Sequence, residues 1–297
     1  MKCIFLILLI FISGCQPAVD HNQFSTLNNQ IVNIINGNPV NEADKVSQHT
    51  VLIYNMYQGT ACTGTLISKN IVITAAHCLS RKHNQFQVIF SPNGYLTLDQ
   101  HDAELIRHSD KIIMHENYDT NFQTQPGMNQ SDLGLVYFRG ILPPGYSPVD
   151  ILFDDRSIKK DQMLTMAGYG VDKVTANDIQ YKKSKIFQDK IKDGKIICDG
   201  NVKDNNNNPT CLEIFMSGDG DLRKTEATVK FTYASEFVLD EKKSGTCSGD
   251  SGGPAFIEEN GKIYLAGITS RGDFLCNGIG VYTSVPAFID WIISHVE

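Results

Sequence analysis

The sequence predicts an all-β protein of the sandwich or barrel class. Most of the chain consists of short apolar runs separated by Gly, Pro and Asn. Clear examples are Thr50–Tyr57 (TVLIYNMY), Gly64–Cys78 (GTLISKNIVITAAHC), Phe86–Phe90 (FQVIF), Asp132–Phe138 (DLGLVYF), Ala227–Tyr233 (ATVKFTY) and Ile263–Thr269 (IYLAGIT). Many short strands punctuated by turn formers favour a sandwich or barrel. The length of 297 residues allows one large or two small domains. The exception to the strand pattern is the final segment, PAFIDWIISHVE, where Pro286 stands at a helix-start position. Phe288, Ile289, Ile292, Ile293 and Val296 then follow at helical spacing.

The N-terminal stretch stands apart from these elements. Met1-Lys2 is a short positive region, and Ile4–Ile12 (IFLILLIFI) is an unbroken apolar run of nine residues. That run is too short to cross a bilayer as a helix and fits the core of an export signal. Ile12-Ser13-Gly14-Cys15 resembles a bacterial lipobox, which implies lipid attachment at Cys15 and export to a membrane; the alternative is a plain secretory signal cut nearby. Residues 16–33 are polar with scattered apolar side chains and read as a tether or propeptide. No second long apolar run follows. The chain has eight cysteines, of which Cys3 leaves with the signal. Acylation of Cys15 then leaves six, an even number suited to disulfides in an exported protein. The net charge of −7 argues against a nucleic-acid partner, which needs a basic surface.

Three motifs carry chemistry. Gly249-Asp250-Ser251-Gly252-Gly253-Pro254 sets a serine among glycines, so a tight turn can expose its hydroxyl while neighbouring N–H groups converge on one point. Thr74-Ala75-Ala76-His77-Cys78 supplies a base whose small neighbours allow close backbone approach. Ser131-Asp132-Leu133-Gly134 places a carboxylate at the mouth of an apolar strand, where it needs a partner. Taken singly, each is a turn serine, a structural histidine or a strand-end acid.

Together, TAAHC, DLGLV and CSGDSGGP resemble the chymotrypsin-trypsin family of serine endopeptidases, in the chain order His, Asp, Ser. Asp110–Asp119, Ala167–Gly170 and Gly280–Ile292 are similar to further segments of that family. The resemblance implies two six-stranded antiparallel β-barrels with a C-terminal α-helix. It divides the chain into a signal (1–14), a tether or propeptide (15–33) and a protease domain (34–297). Within that domain it expects a first barrel over 34–145, a second over 146–285 and a helix over 286–297. It also implies that Ser251 attacks the scissile carbonyl, His77 accepts its proton and Asp132 orients His77. The N–H groups of Gly249 and Ser251 would hold the oxyanion, and Ser270 would bond Asp132. Cys62–Cys78 and Cys247–Cys276 match family disulfides, which leaves Cys198 and Cys211 to pair by elimination. The partners implied are protein or peptide substrates of a monomeric enzyme, with membrane contact only through the lipid anchor. A catalytically silent binding protein on the same fold and an acyl-ester hydrolase are the competing function classes.

Specificity follows from the same template. The pocket floor is Gly245, not the Asp of trypsin-type members, and the walls correspond to Gly272 and Gly280. This predicts an open, neutral pocket with a large apolar or aromatic P1 preference. Arg271 replaces the usual Trp on the binding segment and is expected to be solvated, or else to favour acidic groups near P2–P4. Residues 171–221, with Lys182, Lys183, Lys185 and the run Asn205–Asn208, match poorly. They read as a long polar loop near the site, with the family strand resuming near Leu222-Arg223; the alternative puts the insertion at 212–244. Asp219 and Asp221 could bind calcium, but calcium takes six or more oxygens; they read instead as solvated turn carboxylates, and no metal or cofactor is expected. Finally, Ile34-Ile35-Asn36-Gly37 resembles the family's processed N-terminus, although Asn33 stands where the family has Arg or Lys. Cleavage after Asn33 by another protease would free an ammonium on Ile34 to pair with Asp250, and would also release the enzyme from its anchor; the alternative is that Asp250 takes another partner and the enzyme works uncut.

Overall fold

The computed structural model describes residues 37–79, 85–118, 126–127, 130–204, 206–273 and 275–296. The signal, the tether, Cys15 and Ile34 lie outside these residues.

After the short strand β1 (Asn38–Pro39), the first barrel is built from β2 (Thr50–Asn55), β3 (Thr60–Ser68), β4 (Ile71–Thr74), β5 (Phe86–Ile89), β6 (Ile106–Met114) and β7 (Gly134–Phe138). The ring closes in the order β2-β3-β4-β7-β6-β5. Side chains alternate across each strand. Val51 and Ile53 point into the barrel with Leu66, Val72, Val88 and Val136. Leu52, Ile73, Ile89 and Leu135 point outward into a second core shared with Tyr169, Phe256 and Ile268. Both faces of these strands are buried, which is why TVLIYN and IVIT read as continuous apolar runs rather than alternating ones.

The second half begins with β8 (Asp150–Ile151) and β9 (Met163–Gly168), and its barrel continues after an insertion. The insertion holds β10 (Lys173–Ile179), β11 (Ile196–Lys203) and β12 (Pro209–Ser217). The barrel strands that follow are β13 (Arg223–Thr232), β14 (Glu236–Asp240), β15 (Pro254–Glu259), β16 (Lys262–Gly272) and β17 (Ile279–Ser284). The order β13-β14-β17-β16-β15-β9 closes on itself through the antiparallel pairing of β9 with β13. Leu164, Met166, Val229, Phe237, Leu239 and Tyr282 fill its interior. The fold is therefore two closed six-stranded antiparallel β-barrels, as the resemblance implies.

The insertion is not a loop. β10, β12 and β11 form a three-stranded antiparallel sheet, and the helix Lys185–Lys192 packs beside it. Ser184 caps that helix through its side-chain oxygen. Phe187, Ile196 and Cys211 make a small core of their own. Val171, Val174, Leu212 and Ile214 pack against Leu275 and Cys276 of the second barrel. Barrel pairing resumes at Arg223, so Leu222-Arg223 does mark the return of the family strand. The alternative insertion at 212–244 fails because β13 and β14 are barrel strands.

At the C-terminus, one 3-10 turn (Pro286–Phe288) leads into the helix Ile289–Val296. Phe288 and Ile292 are buried in the core between the barrels, each worth about 1.5–3 kcal/mol of apolar burial. Ile293 faces outward and is exposed.

Candidate active site

The seam between the barrels gathers the three motif residues. His77 sits on the 3-10 turn Ala76–Cys78 at the end of β4. Cys62 of β3 is disulfide-bonded to Cys78 and pins that turn. Asp132 enters β7 just after Ser131, whose φ of 47° lies in the left-handed region. The Asp132 side chain is 1% exposed. Its Oδ1 accepts the His77 backbone N–H at 3.0 Å, and its Oδ2 lies 2.8 Å from His77 Nδ1. Ser270 donates its hydroxyl to the same Oδ2 at 2.7 Å. Thr283 donates to the Asp132 carbonyl at 3.1 Å, fixing the backbone as well.

This geometry sets the protonation states. Burial by itself pushes the Asp132 carboxyl up, but the His77 charge and the bonds from His77 and Ser270 hold it below the usual carboxylate range. Burial pulls His77 down, and the Asp132 carboxylate more than offsets this, so His77 lies above an ordinary histidine. A buried acid next to a more basic imidazole suits a general base held in one orientation.

Ser251 lies on the turn between β14 and β15. Thr63 of the first barrel grips this turn twice, donating its N–H to the Ser251 carbonyl at 2.9 Å and its hydroxyl to the Gly249 carbonyl at 3.0 Å. The Gly252 N–H bonds the Thr269 carbonyl at 2.8 Å on β16. Gly249 has φ +97°, a conformation that a side chain would strain. Ser251 and His77 line one cavity of about 230 Å³ together with Thr246, Ser270, Arg271 and Gly272. The Cys247–Cys276 disulfide forms part of the cavity wall, and Cys198–Cys211 ties β11 to β12 in the insertion. Cys62 and Cys78 stand close enough to His77 to suggest a metal site, but their sulfurs are joined to each other.

Asp250 is 1% exposed. Its oxygens accept the N–H groups of Gly170 and Cys247, each at 2.8 Å. A Cβ at residue 170 would fall 2.5 Å from this carboxyl group, so the Gly-Tyr-Gly turn leaves room for Asp250. Burial pushes Asp250 up to about 7 despite the two bonds. Ile34, its expected partner, is outside the described residues.

Two expectations change at the pocket. Arg271 is not solvated. It is 7% exposed, and its guanidinium forms a two-pronged pair with Glu236, NH1 to Oε1 and NH2 to Oε2 at 2.9 Å each. An Arg on a strand buried between two barrels requires such an acid. Nor do Gly245 and Gly280 leave open space. A Cβ at 245 would lie 2.3 Å from Glu241 Cβ, and one at 280 would lie 2.3 Å from Glu241 Oε1. Glu236 and Glu241 were not singled out from the sequence. The only signal was an apolar stretch, Phe237–Leu239, flanked by the three acids Glu236, Asp240 and Glu241. Asp219 and Asp221 are exposed; Asp219 bonds the Tyr95 hydroxyl, and Asp221 forms a β-bridge with Asn93.

A double barrel with Ser, His and Asp converging at its seam defines the class of two-barrel serine hydrolases. The trypsin family model matches residues 34–292, and the chain belongs to that family. It is 29% identical over 259 residues to the urokinase-type plasminogen activator of Gallus gallus, covering 80% of this chain and 51% of that protein. It is 26% identical to the CLIP domain-containing serine protease B4 of Anopheles gambiae, covering 80% of this chain and 62% of the relative. It is 25% identical to a chymotrypsin of Phaedon cochleariae, covering 80% and 72%. The chain thus spans about half to three-quarters of the length of these relatives.

Proposed function

We propose that this trypsin-family domain is an active serine endopeptidase. Ser251 Oγ attacks the scissile carbonyl, and His77 takes the hydroxyl proton and returns it to the leaving amine. Asp132 stabilises the imidazolium that forms between these steps, and the N–H groups of Gly249 and Ser251 receive the oxyanion. The observation that supports this most is the 2.8 Å contact between His77 Nδ1 and a buried Asp132, facing the cavity that also holds Ser251.

Export belongs to the same reading, since three disulfides suit an oxidising compartment. We further propose lipid attachment at Cys15 and activation by cleavage before Ile34. A new ammonium beside Asp250 would lower the pKa of that acid from about 7, releasing a proton as the pair forms. The pair would order the Gly249–Ser251 turn that Asp250 interrupts. Because Cys15 lies upstream of the cut, activation would also free the enzyme from the membrane.

A fluorophosphonate probe on the full chain tests the catalytic reading. Covalent labelling of Ser251, abolished by Ser251→Ala, supports it. A folded chain that takes no label before or after cleavage at Asn33-Ile34 marks a silent binding protein instead. N-terminal sequencing of labelled material tests activation, and labelled protein still beginning at Cys15 would exclude the release step.

A further inference from the structure

Glu241 lies behind the cavity that holds Ser251, against the two glycine positions that the family template assigns to the pocket floor and wall. Its residue is 1% exposed, and its carboxyl group fills the space that side chains at 245 and 280 would otherwise occupy. Gly245 and Gly280 therefore make room for the acid rather than for substrate. Thr246 both lines the cavity and bonds this carboxyl. Its N–H bonds Oε2 at 3.2 Å, and its hydroxyl lies 3.2 Å from Oε1 and 3.3 Å from Oε2. Tyr282 donates its hydroxyl to Oε1.

These neutral donors do not fill the carboxylate, which has about four acceptor positions. None of the salt bridges among the described residues supplies it with a cation. Its charged neighbour is Asp250, of the same sign. At the cavity wall Asp273 adds a further acid, and the wall's one guanidinium, Arg271, is held by Glu236. The pocket is therefore acidic at its base and wall, and its cation is committed elsewhere.

We propose that Glu241 is a specificity residue of this protease, giving the primary pocket an acidic base that selects Lys or Arg at P1 through the Thr246 hydroxyl. The proposal rests on the serine-endopeptidase reading, and it replaces the apolar P1 preference expected from Gly245. It also carries a pH signature. Burial pushes Glu241 up to about 8, with Asp250 adding to the rise and the Thr246 and Tyr282 bonds opposing it. A P1 cation would displace the proton to solvent, so discrimination in favour of Lys and Arg should grow as pH rises toward about 8. His77 and Asp132 act on every substrate alike and cancel in a ratio of substrates.

The test uses the activated full chain, quantified with a fluorophosphonate, and fluorogenic peptides that differ only at P1 as Lys, Arg, Phe or Leu. The expected result is a kcat/KM for Lys and Arg above that for Phe and Leu by about ten-fold or more, with the ratio rising from pH 6 to 8. Glu241→Gln, with rates normalised to probe-labelled sites, should collapse the ratio. Should that variant not fold, competitive inhibition of the unaltered enzyme by benzamidine, tightening from pH 6 to 8 relative to that by neutral benzamide, reads the same acid as a ratio. A labelled wild-type enzyme that prefers Phe or Leu, or whose benzamidine-to-benzamide ratio is flat with pH, overturns this inference and leaves the endopeptidase reading standing. No labelling at all overturns both.

Discussion

Asp132 and Glu241 are both 1% exposed, each bonds a residue that lines the cavity holding Ser251, and they shift in opposite directions. Asp132 faces an imidazole, a backbone N–H and a serine hydroxyl. Glu241 faces a backbone N–H and two hydroxyls. The numbers of donors are alike, so the difference lies in the partner that can carry charge. Neutral hydrogen bonds do not offset the desolvation of a carboxylate, whereas one ionisable base within 3 Å does. The triad acid is thus kept ionised, and the pocket acid is left waiting for a cation.

The comparison breaks most sharply at its ionised end. Asp132→Asn removes the charge that holds His77 above its usual range. The expected loss is about 10⁴-fold in kcat. Below its pKa His77 is protonated and cannot act as base, so the acid limb of the wild-type kcat/KM profile should lie above 6.5. In the variant, burial remains without the countercharge, and any residual activity should show that limb shifted to lower pH. A limb unmoved by the substitution would detach His77 from Asp132.

Arg271 and Glu236 offer the case in which the buried acid has a permanent cation. Their side chains are 2% and 3% exposed, and Glu236 also accepts the Gly127 N–H at 2.8 Å. Glu236→Ala leaves a guanidinium buried beside the catalytic cleft. The expected cost is about 3–5 kcal/mol by chemical denaturation, and Arg271→Met combined with Glu236→Leu should recover most of it. A single variant that unfolds like the wild type would show that solvent reaches the pair.

What the sequence made legible follows the same divide. Turn formers between apolar runs announced the barrels, because strands buried on both faces must be short and continuous. The triad was legible because each member sits in a motif whose small residues have one purpose, close backbone approach. The insertion was misread as a loop. Its strands carry Lys, Asn and Asp on their outer faces, and its core residues are split between two small clusters, Val171, Val174, Leu212 and Ile214 in one and Phe187, Ile196 and Cys211 in the other. Glu241 was illegible because its role depends on two glycines, one four residues and one 39 residues downstream, whose missing side chains read as empty space. Arg271 was misjudged for a related reason, since its partner Glu236 lies on a different strand, 35 residues away.

The last expected effect is the pH dependence of stability, and its sign separates the two acids. Glu241 has a folded pKa of about 8 against an ordinary value of 4.5. Below 4.5 it is protonated in both states and exacts no penalty. Between 4.5 and 8 the unfolded chain ionises while the folded one retains its proton, so stability falls as pH rises, and above 8 the loss is constant. Glu241→Gln, neutral throughout and able to donate to Tyr282 or Thr246, should therefore be more stable than the wild type. The gap should open above about pH 4.5, widen by at most about 1.4 kcal/mol per pH unit, and level off near 8. Asp250 ionises in an overlapping window in both proteins, so only the difference between them isolates Glu241. Asp132→Asn must do the reverse. The stabilising charge of Asp132 is present above its ordinary value of 3.8 and is lost as pH falls through its lowered folded value, so that variant is weaker at neutral pH and converges on the wild type only in acid. Denaturation of the three proteins between pH 4 and 9 should yield curves that diverge upward for one variant and downward for the other. If both fall below the wild type by a constant amount, Glu241 is an ordinary packed side chain and not a carboxyl held in want of a cation.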